Sequence, residues 1–187
     1  MTEDVILDVT ADFIRSSKTN LKLALQVEKA MPCVREHLVR AVLEAVEECF
    51  PRTEWNIDRS ALQNVMAKEA SLVLRREAWI TKRSDTAIWL GTDPPCWKDV
   101  WIGLYFAGLP IQEVQFIEQR VAPLTRSGFT FHALEDVPGV WKSLDGELQD
   151  WGGERFLTRI LDEGPGRIAS EISTELKQID EFVGSLD

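Results

Sequence analysis

Two runs of alternating residues, 86–90 and 100–106, are joined by the turn GTDPPCWKD at 91–99, and this pair constrains the fold more than any other feature. A period of two places successive side chains on opposite faces of a pleat. Adjacent prolines do not fit inside a strand, so the stretch reads as neighbouring antiparallel strands around a proline-braced turn. Residues 87–108 also hold three of the seven tryptophans and the only tyrosine. Aromatic bulk at this density builds either the core of a sheet or a binding face.

The same period recurs nearby. Trp55 and Ile57 alternate with Glu54, Asn56 and Asp58, and residues 71–81 carry Leu72, Leu74, Trp79 and Ile80. Together these predict an antiparallel meander of three or four strands. Phe129 and Phe131 alternate with Thr130 and His132, which predicts a later strand over 128–134.

Helical spacing surrounds the strands. Val5, Ile6, Val9, Phe13 and Ile14 predict a helix over about 3–17, with Thr2 as its cap and a polar turn over 16–20. Residues 21–27 alternate like a strand, yet Leu and Ala are weak strand formers, so a helix stays open there. Pro32 suits the first turn of a helix over 32–49 that Pro51 ends. Its stripe is Val34, Leu38, Ala41, Val42, Ala45, Val46 and Cys49, with His37, Glu44, Glu47 and Glu48 outside it. Pro110 opens a helix over 109–125 that Gly128 stops. Pro138, Gly139 and Gly146 mark a long irregular loop holding Trp141, closed by Trp151 and Gly152-Gly153. Helices follow over 154–161 and 165–183.

The expectation is an α+β fold. Its antiparallel sheet of about four to five strands packs against helices, with helices 32–49 and 110–126 on one face and further helices at both termini. No long linker interrupts the 187 residues, which read as one domain. Its parts are a helical segment 1–50, the sheet with a covering helix 51–135, and a Trp-containing loop with C-terminal helices 136–187.

Composition narrows the function. Hydrophobic residues at 44% and charged residues at 28% describe a folded domain. A net charge of −10 repels phosphates, so direct nucleic-acid binding is not expected, and the basic group Lys68, Arg75, Arg76, Lys82 and Arg83 reads as a solvated face. No apolar run approaches the roughly 20 residues of a membrane span. The acidic start MTEDVILDVTADF is unlike a secretory signal, so a cytoplasmic location is expected. Cys33, Cys49 and Cys96 are odd in number and lack a CxxC, against a disulfide framework or zinc knuckle. Cys33 and Cys49 read as small buried hydrophobes on one helix.

Chemistry has few candidates. His37 and His132 are the only histidines; His37 reads as exposed and isolated, His132 is near no obvious nucleophile, and two distant histidines make a poor zinc set. No phosphate-binding glycine loop is present, and Gly164-Pro165-Gly166 reads as a helix break. Asp93 and Asp99 bracket the aromatic turn, and Glu135 and Asp136 follow the late strand; either pair has the chemistry to bind a divalent cation or act as acid and base, but turn formation and helix capping explain Asp at such positions more cheaply. No catalytic residue, metal or cofactor is expected. Trp89 and Trp101, in strands, are expected to be buried, whereas the loop residues Trp97, Trp141 and Trp151 are either lids on the core or hot spots for a partner.

The back half carries WLG at 89–91, DVWIGLYFAG at 99–108, VPGVWKSLDGELQDWGG at 137–153 and IASEISTELKQIDEF at 168–182. This spacing of aromatics over roughly 50–183 resembles the non-catalytic C-terminal region of bacterial PD-(D/E)xK-nuclease-superfamily proteins. The nuclease motif itself is missing. Its only E-x-K counterpart, Glu175-Leu-Lys177, falls on a predicted helix, where it cannot take the strand position that holds Mg²⁺. The resemblance implies an accessory part of a prokaryotic defence system, or of a phage counter to one.

The leading expectation is a non-enzymatic protein-interaction module of unknown oligomeric state. It would bind a protein through Trp97, Trp141, Trp151, Asp93 and Asp99 or through its acidic surface. One alternative is a small-molecule-binding domain or enzyme with an aromatic-lined pocket and Asp93, Asp99 and His132 as polar groups. Another is an acidic mimic of nucleic acid that fills a basic groove.

Overall fold

The computed structural model describes residues 3–63, 65, 70–76, 85–93, 97–107, 118–119, 121–132 and 138–184. Among these residues the chain is α+β, as the alternation predicts, with one six-stranded antiparallel sheet. The strands are β1 (Trp55–Asp58), β2 (Ser71–Arg76), β3 (Asp85–Asp93), β4 (Asp99–Ala107), β5 (Thr130–His132) and β6 (Gly139–Ser143). Their order is β1-β2-β3-β4-β6-β5. The helices are α1 (Glu3–Arg15), α2 (Lys18–Glu48), α3 (Ser60–Gln63), α4 (Ala122–Arg126), α5 (Glu154–Glu163) and α6 (Pro165–Gly184), with a 3-10 turn at Gly146–Leu148. Of the helix expected over 109–125, residues 118–119 and those in α4 are helical and Val121 is the turn residue before α4; the others lie outside the described residues, as do Trp79, Cys96, Glu135 and Asp136.

The chain divides into two compact units, residues 1–37 and 38–187, with the boundary inside α2. In the first unit, α1 ends in a two-residue break. Ser17 Oγ accepts from Asn20 N (3.1 Å) and so caps α2. Asn20 Nδ2 donates to Phe13 O (2.9 Å) and to Ser16 Oγ (3.1 Å), which fixes the break at 16–17 rather than over five residues.

α2 corrects the reading of Pro32 as a helix start: the helix runs straight through it. An interior proline removes one backbone bond and crowds the preceding turn. Helix formers on both sides carry the helix past it, and the proline ring sits at an exposed position. The same preference settles residues 21–27 as helix. Cys33, on this helix, is exposed rather than buried, and only Cys49 is partly covered.

The core of the second unit lies on one face of the sheet. Leu72, Leu74, Ile88, Leu90, Ile102, Leu104 and Val140 present no accessible surface there. Val42, Leu43 and Val46 of α2 belong to the same cluster, as do Phe156 and Ile160 of α5 and Ile168, Ile172, Leu176 and Ile179 of α6. The terminal helix α6 therefore contributes to the covering layer, for which helices 32–49 and 110–126 were expected. Glu47, expected on the polar side of α2, is buried. Arg52 Nη2 (2.6 Å) and Arg59 Nε (3.0 Å) hold its carboxylate, so the charge is paired where it is desolvated.

The expected loop around Trp141 is instead strand β6, inserted between β4 and β5. Gly139 marks no turn there; it pairs with Tyr105 in the ladder. The glycine and proline that suggested a loop begin a strand whose partners are distant in sequence.

Candidate functional site

The second face of the sheet carries a row of aromatic rings. Alternation along β4 sends Val100, Ile102, Leu104 and Phe106 to the core and leaves Trp101, Gly103 and Tyr105 on the other side. The register adds Trp89 opposite Gly103, Trp141 opposite Gly103 from the other side, and His132 opposite Gly139. The rings run in a series: Trp89 to Tyr105 at 4.5 Å, Trp101 to Tyr105 at 6.1 Å, Tyr105 to Trp141 at 5.8 Å and Trp141 to His132 at 3.6 Å between centroids. The last two pairs are nearly parallel, each 7° between planes. Such offset contacts each add about 0.5–1.5 kcal/mol beyond burial.

Glycine makes this row possible. A Cβ on Gly91 would stand 2.7 Å from the Trp101 ring, and one on Gly103 would stand 2.7 Å from Trp141 Cβ and 2.9 Å from Val140 O. At Gly91 the Trp101 ring lies over the bare backbone, and at Gly103 the room is taken by Trp141 Cβ and the backbone of β6. Trp89, Trp101, Tyr105, Trp141 and His132 all remain half-buried, which corrects the expectation that strand tryptophans here are core. Trp89 Nε1 has no hydrogen-bond partner among the described residues.

At the β5 end of the row lies an open groove of about 460 Å³, lined by Thr130, His132, Trp141, Lys142, Ser143 and Asp145 among others. β5 is the last strand of the sheet among the described residues. Lys142 is held at the groove's far side, its Nζ 2.7 Å from Glu175 of α6 and 5.0 Å from the Phe129 ring centroid.

The residues expected to meet a partner separate into two groups. Trp141 belongs to the aromatic row. Trp97 and Trp151 do not: both have no accessible surface and stack on each other at 4.8 Å, with Trp151 stacking in turn on Phe156 at 5.0 Å. They are lids, because the turn and the loop that carry them are stitched together by Trp151 N to Trp97 O (2.7 Å) and Val100 N to Gln149 O (2.9 Å). Asp99 supports the same stitch by accepting from Gln149 Nε2 (3.3 Å), and Asp93 pairs with Asp99 in the β3–β4 register. His132 stands against Trp141, not beside a nucleophile. Among the described residues no group of three His, Cys, Asp or Glu side chains is placed to hold a metal ion, and no helix is long and apolar enough to cross a membrane.

Elsewhere the charges are tied to one another. Arg159 binds Glu163 through two bonds (3.0 and 3.1 Å) and Glu171 through one (2.7 Å), joining α5 to α6. Those bonds raise the guanidinium pKa further and hold the Glu163 carboxyl below its usual range. Glu175 and Lys177, the E-x-K pair, point into separate contacts, one with Lys142 and the other over Phe50 at 5.9 Å.

Asp180 behaves differently. Burial pushes its carboxyl up, and this outweighs the attraction of Arg76, whose Nη2 is 2.5 Å away. The folded chain thus holds this proton more tightly than the unfolded chain. The resulting stabilisation is complete below the ordinary aspartate range and is lost as the pH rises through the raised value. Asp180→Asn lacks that dependence, so its urea midpoint should gain on the wild type as the pH rises above the ordinary aspartate value of about 4. A difference that stays flat or moves the other way would show that Arg76 dominates.

No family model matches the chain, and no curated protein or solved structure matches it either. The fold and the site therefore define the class by themselves: an antiparallel α+β protein with an aromatic row on the face of the sheet opposite its core.

Proposed function

We propose that this chain is a non-enzymatic protein-interaction module that receives a partner at the Trp141 end of its aromatic row. The supporting observation is the stack of His132 on Trp141 beside an open groove at the last strand. Rigid aromatic rings offer large contact area at low entropic cost, which is why tryptophan and tyrosine dominate interface hot spots. A terminal strand also offers backbone groups to an extended segment of a partner protein. The setting, prokaryotic defence or a phage counter to it, rests on the sequence resemblance.

The test is capture of partners from host lysate by the full-length tagged protein at low and moderate salt, with Trp141→Ala as the control. The wild type should retain a stoichiometric protein at both salt levels. Trp141→Ala should weaken it by about 30-fold or more, the loss of a hot spot of at least about 2 kcal/mol. Equal capture by the two proteins would remove the aromatic row from the interface, and capture of no protein would refute the module.

A further inference from the structure

The first unit leaves an unusual amount of apolar surface in water. Val9 and Phe13 of α1 are 63% and 59% exposed, and Leu21, Leu23, Leu25, Val27 and Val34 of α2 are 44–55% exposed. In the second unit, by contrast, Leu161 is the one such residue among those described.

Their spacing is informative. Leu23, Val27 and Val34 fall along one stripe of α2, at separations of four and seven. Leu21 and Leu25 fall along another, roughly 160° away at about 100° per residue. The half-buried Ala24 and Met31 lie between the two stripes. A helix that is apolar on two sides is made to sit among several neighbours, not against one. Burying both stripes takes at least two more helices.

Charge identifies what supplies them. The α1 sequence carries Glu3, Asp4, Asp8 and Asp12 against Arg15, whereas α2 before residue 36 carries Lys18, Lys22, Lys29 and Arg35 against Glu28. The two helices have opposite signs. Each copy of the chain thus brings one acidic and one basic amphipathic helix, and a second copy complements the first in both number and charge.

We infer that residues 1–37 are a self-association element, in which the acidic α1 of one copy lies against the basic α2 of another to form a helical bundle. The contact is isologous, because each copy offers the other the same pair of helices. It uses none of the residues of the aromatic row, so its test and that of the proposed function fail independently.

Sedimentation velocity of the full-length protein tests this. The wild type should be dimeric at micromolar concentration. Leu23→Glu with Val27→Glu changes two exposed positions and should give a monomer whose thermal midpoint is unchanged. Lys22→Glu with Lys29→Glu should weaken the dimer at least tenfold by opposing like charges, and salt should narrow that gap. A monomeric wild type at about 100 μM would overturn the inference, a concentration at which interfaces of standard size are saturated. So would a dimer that survives both double substitutions, and so would binding of these helices to lipid vesicles or to a different protein in place of a second copy.

Discussion

Trp97→Ala should unfold the protein or leave it close to unfolding. The indole has no accessible surface and stacks on Trp151, which itself stacks on Phe156. Removing so large a buried ring costs about 3–5 kcal/mol in transfer and cavity terms. Its Nε1 also donates to Val65 O, and the substitution removes that hydrogen bond, a further cost of about 0.5–1.5 kcal/mol. A domain of ordinary stability has only about 5–15 kcal/mol in total. Trp97→Phe is the informative companion. It keeps most of the stack but loses the hydrogen bond, and should cost about half as much. Guanidinium denaturation followed by near-ultraviolet dichroism reads both. An unchanged midpoint for Trp97→Ala would mean that the turn is detached from the core, and would restore Trp97 as a surface anchor. Trp97 also has a φ of 61°, a conformation that bulky residues rarely adopt. The stack and the bond to Val65 explain why the chain tolerates it there.

That residue illustrates what could and could not be read from the sequence. The strands around 55–58, 71–76, 85–93 and 99–107 were legible because their alternation is local. The helices α5 and α6 were legible for the same reason, with Gly164 at φ 82° separating them. Trp97 was placed in a loop correctly, but its burial depends on Val65, Trp151 and Phe156, which no local pattern connects to it. β6 was missed because Gly139 and Pro138 are turn residues by statistics, and only the distant pairing with β4 makes a strand of them. Pro32 misled in the same way: its rule applies to an isolated helix start, and fourteen residues of helix stand before it. The burial of Glu47 needed Arg59, a side chain twelve positions on. The aromatic row did have a local signal. Trp101, Gly103 and Tyr105 share one phase of β4, while the other phase is wholly aliphatic or phenylalanine. A strand with both phases apolar and a glycine between aromatics describes two packed faces, the second one built from rings.

Those glycines give the second large effect. Gly103→Ala should destabilise the sheet by about 1–3 kcal/mol, the usual cost of overpacking, or more. The added Cβ meets Val140 O and Trp141 Cβ, both fixed to the neighbouring strand, so no side-chain rotation relieves the contact. The nearest atoms to the added Cβ of Gly91→Ala all belong to the six-membered ring of Trp101. Trimming that ring should relieve it: Gly91→Ala should cost about 1–3 kcal/mol in the wild-type background and much less when combined with Trp101→Ala. The combination of Gly103→Ala with Trp141→Ala should show no such rescue, because alanine retains the Cβ that is struck. Gly166→Ala serves as the reference, since nothing lies within 4 Å of its added Cβ and the residue is in the first turn of α6; it should be neutral or stabilising by up to about 1 kcal/mol. Urea midpoints for these variants and the two double substitutions complete the cycle. Additive costs for Gly91→Ala and Trp101→Ala would show that the ring does not lie over the glycine, and the aromatic row would lose its structural basis. A coupling of about 1 kcal/mol or more at Gly91, with none at Gly103, would show that the bare backbone is what lets the rings lie flat on this face.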